Sequence, residues 1–299
     1  MSRPFADFDH VKVDVDGVTI HARVAGSGPP LLLLHGYPQS SYMWRHVAPR
    51  LADSFSVVAS DLRGYGDSDA PRDDADHVTY SRRVMAADQV QLMSTLGHER
   101  FAVAGHDRGG RVGHRMALDH PDRVERLAVL DIVPTLHMFE NVDGDMAQTY
   151  FHWFFLNQPS DLPERLISAD PEGWIASRFA RRTSGPWCQE QDAIDEYTRV
   201  FRDPDHVAAT CADYRAASSI DLVHDRHDRE LGRRVGVPLL TMWGQSSYVG
   251  RAFDVVDIWR AYASDVTAMP VASDHYIPEE APDSTYMALL QFFRSESTS

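Results

Sequence analysis

Short runs of uniformly apolar residues, spaced along the chain, constrain its fold more than any other feature. Leu31-Leu-Leu-Leu34 shows no polar alternation, so it suits a strand buried on both faces rather than one with a wet side. Similar runs recur at Phe55 to Ala59, Phe101 to Ala104, Leu127 to Leu130, Leu239 to Trp243 and Val266 to Val271. Helix-like stretches lie between several of them, at Tyr80 to Leu96, Gly110 to Asp119 and Pro282 to Phe293. Strands alternating with helices imply right-handed crossovers and an α/β fold with a mostly parallel, doubly wound sheet. Near the start, Val11 to Val15 and Val18 to Val24 flank Asp16-Gly17, a strong two-residue turn signal, and predict an antiparallel hairpin.

The alternation stops between about Pro134 and Val235. That stretch carries Tyr150, Phe151, Trp153, Phe154, Phe155, Trp174 and Trp187 but no run resembling a buried strand. The expected organisation is a core of residues 1–134 and 236–299, with a helical cap at 135–235 inserted between two strands. Open α/β sheets bind ligands at the C-terminal edge of their strands, which is where such a cap would sit. Composition narrows the function. The 299 residues include 29 basic and 44 acidic ones, a net charge of −15, and only Lys12 is a lysine. With no basic run, nucleic acid and anionic membrane are poor partners. Two cysteines, Cys188 and Cys211, exclude a disulfide-stapled scaffold. The opening Met1-Ser-Arg-Pro-Phe-Ala-Asp has no apolar stretch, and no run approaches the ~18 residues that span a bilayer. A soluble, cytoplasmic protein is expected.

The chemistry sits where strands end. Phe101-Ala-Val-Ala-Gly-His-Asp-Arg-Gly-Gly110 runs from a strand through Gly105-x-Asp107-x-Gly109 into a helix. This resembles the G-x-S-x-G nucleophile elbow with aspartate in the serine position. A serine attacking saturated carbon would leave an ether, whereas aspartate leaves an ester that activated water can hydrolyse. Asp107 therefore points to substitution at a carbon–halogen bond or an epoxide; the plain alternative is an Asp favoured by the helix dipole. His35-Gly36-Tyr37-Pro38 follows the Leu31 to Leu34 strand and is placed to supply an oxyanion-hole N–H from Tyr37, the other coming from Arg108. His275, after the last strand, is the only histidine late enough to serve as the base. No carboxylate follows Leu239-Leu-Thr-Met-Trp-Gly244, where Gln245-Ser-Ser-Tyr stands, so Asp131 after the preceding strand is assigned to orient His275.

Arg108 and Arg111 lie three apart at the start of the elbow helix, so both can face the site. Guanidinium forks suit a substrate carboxylate, although structural ion pairing is the ordinary use of arginine. In the cap, His152, Trp153 and Tyr214 offer donors on apolar bodies, as a departing halide would need, although aromatic stripes are more often core.

These motifs, with Asp61-Leu-Arg-Gly-Tyr-Gly-Asp-Ser, Leu130-Asp-Ile, Asp213-Tyr214-Arg215 and Asp274-His275, closely resemble the fluoroacetate dehalogenases of the α/β-hydrolase superfamily nearly end to end. The resemblance implies Asp107 as the residue that displaces halide, His275 and Asp131 as the water-activating pair, Arg108 and Arg111 as carboxylate ligands, and His152, Trp153 and Tyr214 as halide ligands. It also implies a homodimer with no cofactor and no metal. The arginine straight after the nucleophile discriminates most, because related epoxide hydrolases and haloalkane dehalogenases usually have tryptophan there. The expected reaction is hydrolytic dehalogenation of a short, anionic 2-haloacid. The rivals are an epoxide hydrolase using Tyr150 and Tyr214 as ring-opening acids, and a non-catalytic binding protein of the same fold. Two departures stand out: Tyr37 where phenylalanine is common, and Arg181-Arg182 in a poorly matched Arg178 to Trp187 segment.

Overall fold

In the computed structural model, which describes residues 5–180 and 190–295, eight strands form one sheet in the order β1-β2-β4-β3-β5-β6-β7-β8. They are β1 (Asp9–Val15), β2 (Val18–Ala25), β3 (Pro30–Leu34), β4 (Ser56–Ser60), β5 (Phe101–His106), β6 (Val124–Leu130), β7 (Leu239–Gly244) and β8 (Val266–Val271). The Asp16-Gly17 turn pairs β1 with β2 antiparallel, and β2 joins β4 antiparallel. Every pairing from β4 to β8 is parallel.

Because side chains alternate across a strand, the apolar runs divide between two cores. Leu32 and Leu34 of β3, Val103 of β5 and Leu127 and Val129 of β6 enter one core; Leu31, Leu33, Ala104, Ala128 and Leu130 enter the other. Helices α2 (Arg82–Thr95) and α3 (Arg108–Asp119) cover the first face, while α1 (Ala48–Leu51) and the terminal helix cover the second. A strand wet on one side could not supply both, so uniform apolarity is what this sheet requires. Truncating Leu33, fully buried, to alanine would cost about 2–5 kcal/mol.

Between β6 and β7 the described residues are helical: α4 (Thr135–Glu140), α5 (Gly144–Thr149), α6 (Phe151–Leu156), α7 (Leu162–Ala169), α8 (Pro171–Phe179), α9 (Gln191–Phe201), α10 (Pro204–Ser218) and α11 (Ile220–Glu230). Their buried Trp153, Phe179, Tyr197 and Tyr214 join the core on the α2/α3 face. The chain closes with α12 (Tyr248–Ala252), α13 (Val255–Tyr262), α14 (Ile277–Glu280) and α15 (Pro282–Arg294). No helix among the described residues is long and apolar enough to cross a membrane.

Candidate active site

The turn from β5 into α3 holds Asp107 at φ 45°, ψ −112°, a conformation costly for any residue with a Cβ. Close packing enforces it. A Cβ on Gly105 would lie 2.4 Å from the Gly109 carbonyl oxygen, and one on Gly109 would lie 2.5 Å from that of His35. The first turn of α3 is thereby pressed onto β5 and the His35 loop, with Gly109 N–H donating to the His35 carbonyl at 2.8 Å. From that loop, Tyr37 N–H donates to Asp107 Oδ2 at 3.1 Å. Arg108 occupies the first position of α3, where backbone N–H groups have no partner within the helix.

Asp131 and His275 arrive from the ends of β6 and β8. His275 Nδ1 donates to Asp131 Oδ2 at 2.6 Å. With Nδ1 committed, Nε2 is the nitrogen that can take a proton. Asp131 is itself fixed at φ 53°, its N–H donating to the Met242 carbonyl at 2.7 Å. Its Oδ1 accepts from Gly244 N–H at 3.0 Å and from the Ser247 hydroxyl at 2.6 Å. Ser247 escaped sequence reasoning because only a carboxylate was sought after β7; that loop supplies a hydroxyl holding the acid of the neighbouring strand. His106 adds a further support, donating from Nε2 to the His275 carbonyl at 2.8 Å. Burial first, and the nearby His275, lower its pKa to about 4, so it is a neutral imidazole near pH 7.

Electrostatics favours an ionised Asp107. Burial opposes the charge of Asp107, but His275, His106, Arg111 and Arg108 outweigh it and hold the carboxyl well below the usual carboxylate range. Burial depresses Arg111 to about 10, aided by Arg82 and Arg108, leaving it cationic at neutral pH. Burial acts the same way on Arg108, but Asp213 overrides it and raises its pKa.

A cavity of about 320 Å³ reaches Asp107, Tyr37, Tyr150, His152 and His275. Trp153, Tyr214, Arg108 and Arg111 are not among its lining residues; Tyr214 and Trp153 pack against rings that are, and the two arginines lie behind them. Tyr214 lies 5.3 Å from Tyr37 and 5.8 Å from His152, ring to ring. Trp153 lies 6.1 Å from Tyr214, Arg108 sits 4.3 Å over the Tyr214 ring, and Arg111 sits 4.8 Å over Trp153. Arg108 Nη1, Arg111 Nε and the Tyr214 hydroxyl are buried with no hydrogen-bond partner among the described residues. The Tyr37 side chain ties the oxyanion loop to the cap: its hydroxyl accepts from Trp174 Nε1 at 2.6 Å. Arg181 and Arg182 lie outside the described residues. Arg178 stacks 4.4 Å over Trp174 at the cavity wall.

Asp213 also escaped prediction as a site residue. It accepts from Arg108 Nε at 2.7 Å and from the Tyr65 hydroxyl at 2.8 Å. Its position beside Tyr214 in a motif carrying the resemblance was the available signal. Away from the elbow, His21, Asp61 and Asp67 place potential metal-ligand atoms within 4.8 Å of one another. Asp61 already accepts from the backbone N–H groups of Ser41 and Asp67, and its Oδ2 lies 2.7 Å from His21 Nδ1. Protein donors thus account for that cluster without an ion.

Comparison with known proteins gives four findings. Residues 29–265 match the family described as the alpha/beta hydrolase fold. Fluoroacetate dehalogenase of Burkholderia sp is 45% identical over 289 residues, covering 96% of this chain and 94% of that one. Soluble epoxide hydrolase of Corynebacterium sp. (strain C12) is 34% identical, covering 96% and 98%. Among solved structures, an alpha/beta hydrolase designation accompanies a chain from Nostoc sp PCC 7120 that superposes with a TM-score of 0.95 at 48% identity, covering 98% of this chain and 100% of that one.

Proposed function

The chain belongs to the haloacetate dehalogenase family of α/β-hydrolases, and from that premise we propose that it converts short 2-haloacids to 2-hydroxyacids through a covalent ester on Asp107. The observation carrying this reading is the set of buried donors without a partner among the described residues, Arg108 Nη1, Arg111 Nε and Tyr214 Oη, on side chains electrostatically coupled to an ionised elbow carboxylate. Buried donors left unpaired are costly, and a small anion bearing a carboxylate and a halogen would satisfy them. A neutral epoxide would leave the guanidiniums unsatisfied, which favours the haloacid over the epoxide reading despite the epoxide hydrolase relative.

Tyr37 N–H holds Asp107 Oδ2, leaving Oδ1 as the attacking atom. An Oδ1 electron pair forms the bond to C2 as the carbon–halogen pair departs with the halide, which His152, Trp153 and Tyr214 receive. Water then gives a proton to His275 and attacks the Asp107 carboxyl carbon. The Tyr37 and Arg108 N–H groups steady the oxyanion, and Asp131 the imidazolium. Collapse breaks the acyl–oxygen bond, and the 2-hydroxyacid leaves with the proton returned. Proposed for the same reading are the anionic haloacid as sole partner besides a second copy of the chain, and no requirement for metal or cofactor.

The test is halide release from fluoroacetate, chloroacetate and 2-chloropropionate beside diol formation from a simple epoxide. Halide release that disappears in Asp107→Asn supports the proposal. Diol without halide would establish the epoxide reading, and neither product, with the variant indistinguishable from wild type, a non-catalytic protein.

A further inference from the structure

The two guanidiniums beside Asp107 are not equivalent. Arg108 commits one whole edge to Asp213: Nε donates to Oδ2 at 2.7 Å, and Nη2 donates to Oδ1 and, at 2.8 Å, to the Asp213 carbonyl. Both partners are almost completely buried. Of the five N–H donors of a guanidinium, only those on Nη1 remain, and Nη1 has no partner among the described residues. Among the described residues Arg111 has no carboxylate bonded to it. Its Nη1 donates to the Val133 carbonyl and the Thr135 hydroxyl, each at 3.0 Å, while Nε is unpartnered. The next cation, Arg82, is balanced by its own ion pair with Asp221. Around the nucleophile, then, Arg108 is cancelled by Asp213 and Arg82 by Asp221, while Arg111 is coupled to the Asp107 carboxylate only through space, Asp107 Oδ2 being held by Tyr37 N–H.

We propose that Asp213 sets the charge capacity of the carboxylate subsite: by cancelling Arg108 it leaves Arg111 as the uncompensated cation, so the site accepts one carboxylate and selects monocarboxylate haloacids over dicarboxylates. This rests on the haloacid reading and deepens it to a substrate class. When substrate binds, its carboxylate and Asp107 both oppose Arg111, and the site carries one surplus negative charge. When Asp107 becomes a neutral ester and the electron pair leaves with the halide, Arg111 faces only the substrate carboxylate. The surplus charge passes to the halide, so balance is reached when the halide leaves the pocket and the ester remains, which opposes return of the halide. A second carboxylate would leave an uncompensated buried anion at every step. Asp213 acts through Arg108 and is a positioning residue: it also pins the guanidinium over the Tyr214 ring, where Nη1 is left to the substrate.

The experiment is calorimetric titration of the full chain with acetate and with malonate, neither of which carries a halide. Wild type is expected to prefer acetate. In Asp213→Asn the malonate-to-acetate affinity ratio should rise about tenfold or more, because one unit of partly screened buried charge is worth at least that. In the same variant kcat for chloroacetate should fall while KM does not rise, and Asp213→Glu should restore the discrimination. A folded Asp213→Asn with an unchanged ratio overturns the proposal. If that variant does not fold, Arg108→Gln with Asp213→Asn removes both charges together and should keep the wild-type preference for acetate; losing that preference overturns the proposal as well. A wild type that binds acetate but releases no halide from any haloacid would overturn the dehalogenase reading while leaving the charge assignment to stand or fall on the ratio. A wild type that binds neither anion overturns the charge assignment.

Discussion

The sheet edge and the cap contribute to one pocket by different means. Asp107, Asp131 and His275 each follow the C-terminal end of a parallel strand; backbone groups fix the first two, with Tyr37 N–H on Asp107, Gly244 N–H on Asp131 and the Met242 carbonyl under Asp131 N–H, and Asp131 in turn fixes His275. His152, Trp153, Asp213 and Tyr214 ride on α6 and α10 and are fixed by side chains, through ring packing and the Arg108–Asp213 pair. Backbone-held groups have little freedom to vary, so the edge suits bond making. Side-chain-held groups can be exchanged within the same scaffold, so the cap suits selection. On this division, changes at the edge should act on kcat and changes in the cap on which anion is accepted.

The largest effect should come from Asp107→Asn, with halide release from chloroacetate falling at least ~10⁴-fold because no other group can form the ester. Activity that survives would break the division at its root. Next, His275→Gln should separate the two halves of the reaction. One halide per active site is released in a burst, the ester persists as a mass increment on the Asp107 peptide, and steady turnover drops about 10³-fold. The pH dependence of that burst follows from the depressed Asp107 carboxyl. Its folded value lies below the usual range, so the nucleophile stays ionised from pH 8 to pH 5 and burst amplitude should stay flat there. A burst that fades by pH 5 would contradict the electrostatics of the elbow.

Ser247→Ala sharpens the edge side at smaller cost. Losing one hydroxyl on Asp131 should lower kcat several-fold, about 1 kcal/mol, with KM unchanged. Because Ser247 also caps α12 by accepting from Gly250 N–H at 3.1 Å, thermal stability should fall by about 1 kcal/mol in the same variant. The smallest effect, on the anion-binding side, is a titration. Arg111, depressed to about 10, loses its proton as pH rises through that value, so KM for chloroacetate should rise above pH 10 while kcat holds. A KM that stays flat to pH 11 would mean that Arg111 keeps its proton there and would contradict its depressed pKa.

The same division explains what could be read from the residues. Leu31 to Leu34 and Leu127 to Leu130 became strands because a sheet with cores on both faces demands uniform apolarity, a local signal, whereas Val266 to Val271 forms the partly exposed edge strand. Asp107 and His275 were legible for a related reason: glycine spacing and strand ends are properties of short segments. Ser247 was not, since it acts on Asp131 from 116 positions away through a hydroxyl that any loop could carry. Asp213 was hidden similarly, 105 positions from Arg108, on a helix where an acid reads as solvent-facing until its partner is known. The cap aromatics fell between these cases. Trp153 and Tyr214 lie in the core and pack beside the pocket lining, and amphipathic spacing alone does not separate a core role from a site role.

The covalent ester is tested most directly by one turnover in ¹⁸O-water with enzyme in excess over chloroacetate. If Asp107 Oδ1 attacks C2 and water attacks the carboxyl carbon, the label enters the Asp107 carboxyl and the first glycolate formed is unlabelled. Label in that glycolate, with none on Asp107, would mean that water attacks C2 directly and would contradict the assignment of Asp107 as nucleophile.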